Sequence, residues 1–236
     1  MKSQELCEYL ERLRAARNIS QELFTNGIVS LRQYRRYLNG ESDIPFQILD
    51  SLTEKLGIQT INLLRELETA RIKETKLIDR FYNHVVNYAY IEVEKFMSSF
   101  NPDTLVDNEN KLFYQHAVNL YHFYEKKISN EDLLCKIKKL INYPKILKQL
   151  AFTEIELLII STLLDFIVDE QESKLLFDRL GEYLNDNRQA INISTTTTFN
   201  TILHRFAKYS GIQKNYDDVI KYCKIGIDRN LYQKSF

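Results

Sequence analysis

The chain has 236 residues, 44% hydrophobic and 27% charged, a globular composition with enough apolar material for one or two cores. Its 32 basic and 32 acidic residues cancel, so the chain is not basic throughout. Charges also interrupt every apolar run before it reaches membrane-spanning length, so a soluble, cytoplasmic chain with no membrane partner is expected. With 6 Gly and 3 Pro, turns are few and an all-α fold is expected.

Helix 1 is predicted over Ser3–Ala16, with Leu6, Leu10 and Leu13 on one face, Ser3 as N-cap and Asn18 as its end. Ser20 should cap a second helix that begins Gln21-Glu22-Leu23 and stops at the turn dipeptide Asn26-Gly27. Ser30 should cap a third, with Tyr34, Tyr37 and Leu38 inward and Asn39-Gly40 supplying the left-handed residue that ends it. Pro45 is placed in the first turn of a fourth helix whose Ile48, Leu49, Leu52 and Leu56 face inward, and Gly57 ends it. Thr60 starts a fifth, with Ile61, Leu64 and Leu67 apolar. These five short helices form a predicted bundle over residues 1–67. The polar stretch 68–76, itself helical, is the expected domain boundary.

From residue 71 onward, helices are predicted in pairs, a domain of helical-hairpin repeats over 71–236. Leu77–Asn87 pairs with Tyr90–Phe100, and Asn101-Pro102-Asp103 breaks that pair. Leu112–Lys126 pairs with Asn130–Asn142, Phe152–Val168 with Glu172–Asn185, and Thr197–Ser210 with Tyr216–Asp228 across Gly211. Alternation over Ile191-Asn192-Ile193-Ser194 is too brief for a strand, and the Thr195–Thr198 run reads as loop or helix start.

The charges are unevenly placed. Residues 1–40 hold Lys2, Arg12, Arg14, Arg17, Arg32, Arg35 and Arg36 against Glu5, Glu8, Glu11 and Glu22, a surplus of three positive charges that the rest of the chain reverses. A basic end on a mildly acidic body suits a nucleic-acid module joined to a second domain. With Tyr34, Tyr37 and Leu38 committed inward, the third helix exposes Leu31, Arg32, Gln33, Arg35 and Arg36. Arginine can donate two parallel hydrogen bonds to guanine, and glutamine can pair with adenine in the same two-point way. Residues near the N-terminal end of a recognition helix reach the bases. Arg32 and Gln33 are therefore assigned to base edges, with Arg36 one turn on, and Arg35 to either a base or a phosphate. Ser30 and Leu31, at the start of the helix, complete the candidate contact set. Gln21, opening the second helix, is placed to touch phosphate.

The run Ile19-Ser20-Gln21-Glu22-Leu23, then Gly27-Ile28-Val29-Ser30, Asn39-Gly40, Leu49 and Leu56-Gly57-Ile58, resembles the XRE-type helix–turn–helix. Its Gln21-to-Gly27 spacing, about one residue shorter than in phage repressors, is similar to that of the Rgg/PlcR regulators, the RRNPP group of Gram-positive bacteria. Leu38 stands where many of those proteins have Glu. Leu203-x-x-Phe206-Ala207 with Asn215-Tyr216-x-x-Val219-x-x-x-Cys223-x-x-Gly226-Ile227 is similar to a tetratricopeptide unit, small Ala207 and Gly226 sitting where two helices approach and Val219 and Cys223 packing. The resemblance implies a transcriptional regulator that binds double-stranded, palindromic DNA as a homodimer and senses a short peptide on its repeats. It implies that Asn side chains grip the peptide backbone, for which Asn83, Asn87, Asn119 and Asn200 are candidates, with Tyr121, Tyr124 and Tyr209 as pocket walls. Two recognition helices must then lie about 34 Å apart, and peptide acts by favouring one dimer arrangement over another. Alternatives are a dimeric phage- or plasmid-type repressor with no ligand, and a helical adaptor whose third helix docks a protein.

Nothing points to catalysis. His84, His116, His122 and His204 lack the spacing that places two metal ligands together, and Cys7, Cys135 and Cys223 form no CxxC pattern, so buried, reduced thiols are expected. No phosphate-binding glycine loop or nucleophile elbow occurs, and no enzyme activity, metal or cofactor is expected.

Overall fold

The computed structural model describes residues 3–185 and 196–233. Over these residues the fold is all-α, with twelve α-helices and no strand. Packing divides the chain into two compact units, Met1–Tyr114 and Gln115–Phe236.

The first unit begins with α1 (Ser3–Ala16), α2 (Gln21–Thr25), α3 (Leu31–Leu38) and α4 (Phe46–Lys55). Local chemistry sets their ends. The Ser20 hydroxyl accepts from the Leu23 N–H and the Ser30 hydroxyl from the Gln33 N–H, each meeting an orphan donor in a first turn. Gly40, at φ +70°, closes α3: its N–H donates to Tyr37 O and that of Glu41 to Arg36 O. Gly57 closes α4 in the same way, through Glu54 O and Thr53 O. Pro45 is the N-cap rather than the first helical residue, with α4 starting at Phe46. Ser3 starts α1, and its hydroxyl accepts from the Ile44 N–H, tying the α3–α4 loop to α1.

The fifth helix joins three helical stretches that were expected separately. α5 runs unbroken from Thr60 to Val86, absorbing the polar stretch 68–76 and the helix expected at 77–87. Leu63 and Leu67 are its buried positions in the bundle and Leu64 packs beside them, whereas Ile61 is 59% exposed. The polar stretch is helical because its partners lie far along the chain. The Glu74 carboxylate accepts from the backbone N–H groups of Val106 and Asp107, Arg71 pairs with the Asp107 carboxylate, and Asn110 donates to Arg71 O. The Arg12 guanidinium donates to the carbonyls of Asp103, Thr104 and Leu105, and Glu5 accepts from the Asn108 N–H. Residues 103–110 thus strap α5 to α1, and Val106 joins the bundle core of Leu10, Phe24, Tyr34, Leu52 and Leu63. α6 (Tyr90–Ser99) folds back on α5 through Phe81 and Phe96, whose rings stack at 4.7 Å.

α7 (Asn108–Tyr124) carries the division between the units. The second unit continues with α8 (Asn130–Leu140), α9 (Glu154–Thr162), α10 (Glu170–Asn185), α11 (Thr196–Ile212) and α12 (Tyr216–Gln233). Ser129 and Thr153 open α8 and α9 with reciprocal capping boxes. α9 is shorter than the expected 152–168 helix, and a 3-10 turn at Leu163–Asp165 succeeds it. Gly211 lies inside α11 rather than between the helices, and Lys214, at φ +59°, makes the turn. The briefly alternating run 191–194 lies outside the described residues. Gly226 does lie where α11 approaches, since a Cβ there would sit 3.5 Å from Leu203 Cδ1. Cys223, expected to pack, is exposed, as is Cys135; the face of α12 that packs inward carries Tyr222 instead. Cys7 is buried, which pushes its thiol pKa up to about 12.

Candidate nucleic-acid interface

The candidate surface is built on α3, which is oriented by one carboxylate. Tyr34 and Tyr37 are buried, and Tyr34 meets Phe24 of α2 edge-on at 5.7 Å. The Tyr34 hydroxyl donates to Glu11 Oε2 at 2.8 Å. Glu11 also accepts from Arg14 Nε and Nη2 at 2.8 and 2.7 Å, and from Gln21 Nε2 at 2.7 Å. Arg14 reaches on to the carbonyl of Ile19 in the α1–α2 turn. A single carboxylate on α1 therefore fixes α2 through Gln21 and α3 through Tyr34. Burial pushes the Glu11 pKa up, but the hydrogen bonds from Arg14, Gln21 and Tyr34 outweigh it and hold it below the ordinary carboxylate range. The Tyr34 phenol is driven up, by burial first and then by its bond to the Glu11 charge. This network was not foreseen from the sequence. Its one local signal is the Glu11–Arg14 spacing of three on a helix.

With Tyr34 and Tyr37 turned in, Arg32, Arg35 and Arg36 are exposed together, and Leu31 and Gln33 are half-buried at the rim. Arg32 makes no ion pair or hydrogen bond among the described residues. Arg35 Nε donates to Gln21 Oε1 at 3.4 Å, so Gln21 bridges Glu11 and Arg35 rather than standing apart from α3. Gln33 Nε2 donates to Ser42 Oγ at 2.9 Å, and its Oε1 accepts from Arg36 at 3.4 Å. Arg36 also lies 3.5 Å from Glu41, which offsets part of its charge. The Ser30 hydroxyl is committed to the cap. The seven candidates therefore converge on the start and outer face of α3, with Arg32 the cation least engaged by the protein itself.

The four asparagines are divided, Asn83 and Asn87 in the first unit and Asn119 and Asn200 in the second. Asn83 is exposed, and Asn87 caps α5 and donates to Asn83 O at 2.8 Å. Asn119 is buried at 8% exposure, and Asn200 Oδ1 lies against Gly226 of α12. Tyr121 is buried beneath the Lys127 ammonium. Tyr209 stacks on Phe177 at 4.7 Å and lines a cavity of about 370 Å³ with Lys174, Asp178, Ser210, Gln213, Asn215 and Asp218.

One further polar cluster, unsignalled in the sequence, lies inside the second unit. The buried Arg205 donates to Asp165 at 2.9 Å, and to Leu158 O and Ser161 Oγ at 3.0 Å each. Fully buried His116 lies 3.3 Å from Thr162 Oγ1, and burial, with the Arg205 charge second, lowers its pKa to about 3. Among the described residues no group of three or more His, Cys, Asp or Glu could hold a metal ion.

No protein-family model matches the chain, and no curated protein sequence matches it. In structure it is similar to PlcR from Bacillus thuringiensis, solved in complex with the peptide PapR7 and DNA, at 16% identity and a TM-score of 0.45, covering 98% of this chain and 81% of that one. It is similar also to ComR from Streptococcus vestibularis in complex with its signalling peptide XIP, at 16% identity and a TM-score of 0.41, covering 99% and 81%. A third is ComR from S. thermophilus in complex with DNA and the signalling peptide ComS, at 14% identity and a TM-score of 0.40, covering 98% and 95%.

Proposed function

We propose that the protein is a sequence-specific DNA-binding transcriptional regulator, with residues 1–67 as the DNA-reading module and a short peptide bound on the helical repeats of 71–236 as its control. The observation that carries this reading is the arginine face of α3, presented by a helix capped at Ser30 and Gly40 and held by the Glu11–Tyr34 bond. A helix held in this way presents three arginines on one exposed face, where a recognition helix contacts the major groove. In this reading Arg32 and Gln33 contact base edges, Arg36 contacts a neighbouring base, Arg35 a base or phosphate, and Ser30, Leu31 and Gln21 the flanking backbone. The peptide reading is supported by the family resemblance and by the aromatic-walled cavity at Tyr209, which none of the candidates Asn83, Asn87, Asn119 and Asn200 lines.

The test uses duplexes selected from a randomised pool by the intact chain. Arg32→Ala and Arg36→Ala should each weaken binding to the selected sequence by about 1–3 kcal/mol and relax preference at one position. Affinity of the unaltered chain should fall steeply with added salt as counterion release loses its advantage. Unchanged affinity and preference in both variants would remove the base-reading assignment. For the peptide, a library of short peptides monitored by melting temperature should raise the midpoint, and no shift at saturation favours a regulator without a ligand.

A further inference from the structure

The cavity beside Tyr209 is chemically unfinished. It lies within the second unit, between the first half of α10, the end of α11 and the start of α12, and holds about 370 Å³. Ligand pockets run from about 300 to about 1,000 Å³, so this one suits a single side chain or a small molecule rather than a length of peptide backbone. Ser210 lines it, is 2% exposed, and carries a side-chain oxygen with no hydrogen-bond partner among the described residues. Buried hydroxyls are nearly always satisfied, so an orphan on a cavity wall marks the place of an incoming donor.

Charge and shape narrow that donor. Asp178 of α10 and Asp218 of α12 both line the cavity, against the single ammonium of Lys174. The side chains of Asp178 and Lys174 stand one helical turn apart, yet neither has an ion pair or hydrogen bond among the described residues. Asn215 Nδ2 donates to Asp218 Oδ2 at 2.6 Å, which fixes that carboxylate and leaves Oδ1 to a ligand. The two carboxylates act on a common point: after burial, the charges of Asp218 and Asp178 push the Tyr222 phenol up to about 12. No group of three or more His, Cys, Asp or Glu that could hold a metal occurs among the described residues, so the cation is an organic one. Phe177 and Tyr209 stack at 4.7 Å and 28° and give the cavity an aromatic wall, which favours a planar cation. A guanidinium is planar and brings five N–H donors for two carboxylates and a hydroxyl, whereas an ammonium has three donors and no face to stack.

We propose that this cavity is a guanidinium-binding site, with Asp178 and Asp218 as carboxylate partners, Tyr209 as the stacking face and Ser210 as a hydrogen-bond acceptor. It is separate from the asparagine candidates: Asn200, on the same helix as Ser210, lies about 15 Å away along the axis. The group can arrive on an arginine of a short peptide or on a free small molecule. Where a peptide supplies it, the inference rests on the peptide reading; as a site for the cation it does not.

The test is calorimetric titration of the full chain with N-acetylargininamide, with a capped Gly-Arg-Gly peptide, and with the same peptide carrying citrulline. Both arginine probes should bind at about millimolar affinity or tighter. The citrulline peptide, alike in shape but uncharged, should bind at least about tenfold more weakly. Asp178→Asn and Asp218→Asn should each weaken arginine binding about tenfold, with melting temperatures confirming that both are folded. Asp217→Asn, exposed and outside the cavity, should leave it unchanged. Ser210→Ala should weaken it about threefold while leaving the free chain as stable or more so, because the hydroxyl it removes had no partner. A peptide more than about tenfold tighter than N-acetylargininamide identifies a peptide as the source, and equal affinities a free small molecule. If a short-peptide library gives no shift while N-acetylargininamide still binds, the peptide reading fails and this one stands. No binding of either arginine probe up to about 20 mM, equal binding of the citrulline peptide, or Asp178→Asn and Asp218→Asn without effect would each overturn the proposal.

Discussion

Glu11 ties α1, α2 and α3 together through one carboxylate. It gathers four hydrogen bonds from three residues on three different stretches of chain. Tyr34→Phe removes the donor from α3 and leaves the carboxylate its other partners. It should cost about 1–2 kcal/mol in urea unfolding, with the loss read in the first unit. His116 makes a pH-dependent contribution in the second unit. Its pKa is about 3 in the folded chain against 6.5 as the ordinary value, so the unfolded chain takes up a proton that the native state refuses. The stabilisation is accordingly whole above pH 6.5 and is lost as pH falls towards 3. Between pH 6 and 5 the loss from this group is about 1 kcal/mol. His116→Leu should flatten the slope in that interval, and an unchanged slope would show that His116 is hydrated and titrates freely.

At the scale of elements, the caps and glycine turns were legible because their chemistry is local. Ser20, Ser30, Gly40 and Gly57 act on groups within five residues of themselves. That the polar stretch 68–76 is helical was legible, but its place inside the first unit was not, because Glu74 and Arg71 find partners more than thirty residues away. For the same reason Arg205 gave no signal: its carboxylate partner, Asp165, lies forty residues earlier. Cys223 and Ile61 were misplaced because an apolar residue marks a face only when something covers that face. Two glycines separate backbone from packing effects. Gly27 has open space around it but stands at φ +77°, so Gly27→Ala should cost about 1–2 kcal/mol through the backbone alone. Gly226 is crowded, yet a Cβ there meets only ordinary contacts at 3.5 and 3.6 Å. Gly226→Ala should therefore stabilise by about 0.5–1 kcal/mol through helix propensity, and denaturant midpoints of the two variants should move in opposite directions.

Over the whole molecule, the all-α class was readable from composition and periodicity, but the extent of the first compact unit was not. Val106 lies in the bundle core, and Arg12 and Glu5 reach forward to residues 103–108. A fragment of residues 1–67 should accordingly melt below one of residues 1–114, and equal melting points would show the strap to be dispensable. Among the described residues no helix is long and apolar enough to cross a membrane.

The unbroken α5 also sets a rotational phase. Each residue of a helix turns the chain beyond it by about 100° and advances it about 1.5 Å. The bundle is fixed to one end of this shaft, at Leu63 and Leu67, and Arg71 and Glu74 key it to residues 103–110 a turn or two further on. One alanine inserted after Glu68 would swing both keys a quarter-turn out of their slots, whereas seven inserted residues would nearly restore the angle but displace the keys by about 10 Å. Length and angle are therefore set together in this stretch, so a run of polar residues that looks like a tolerant spacer should accept substitutions yet reject insertions of either size.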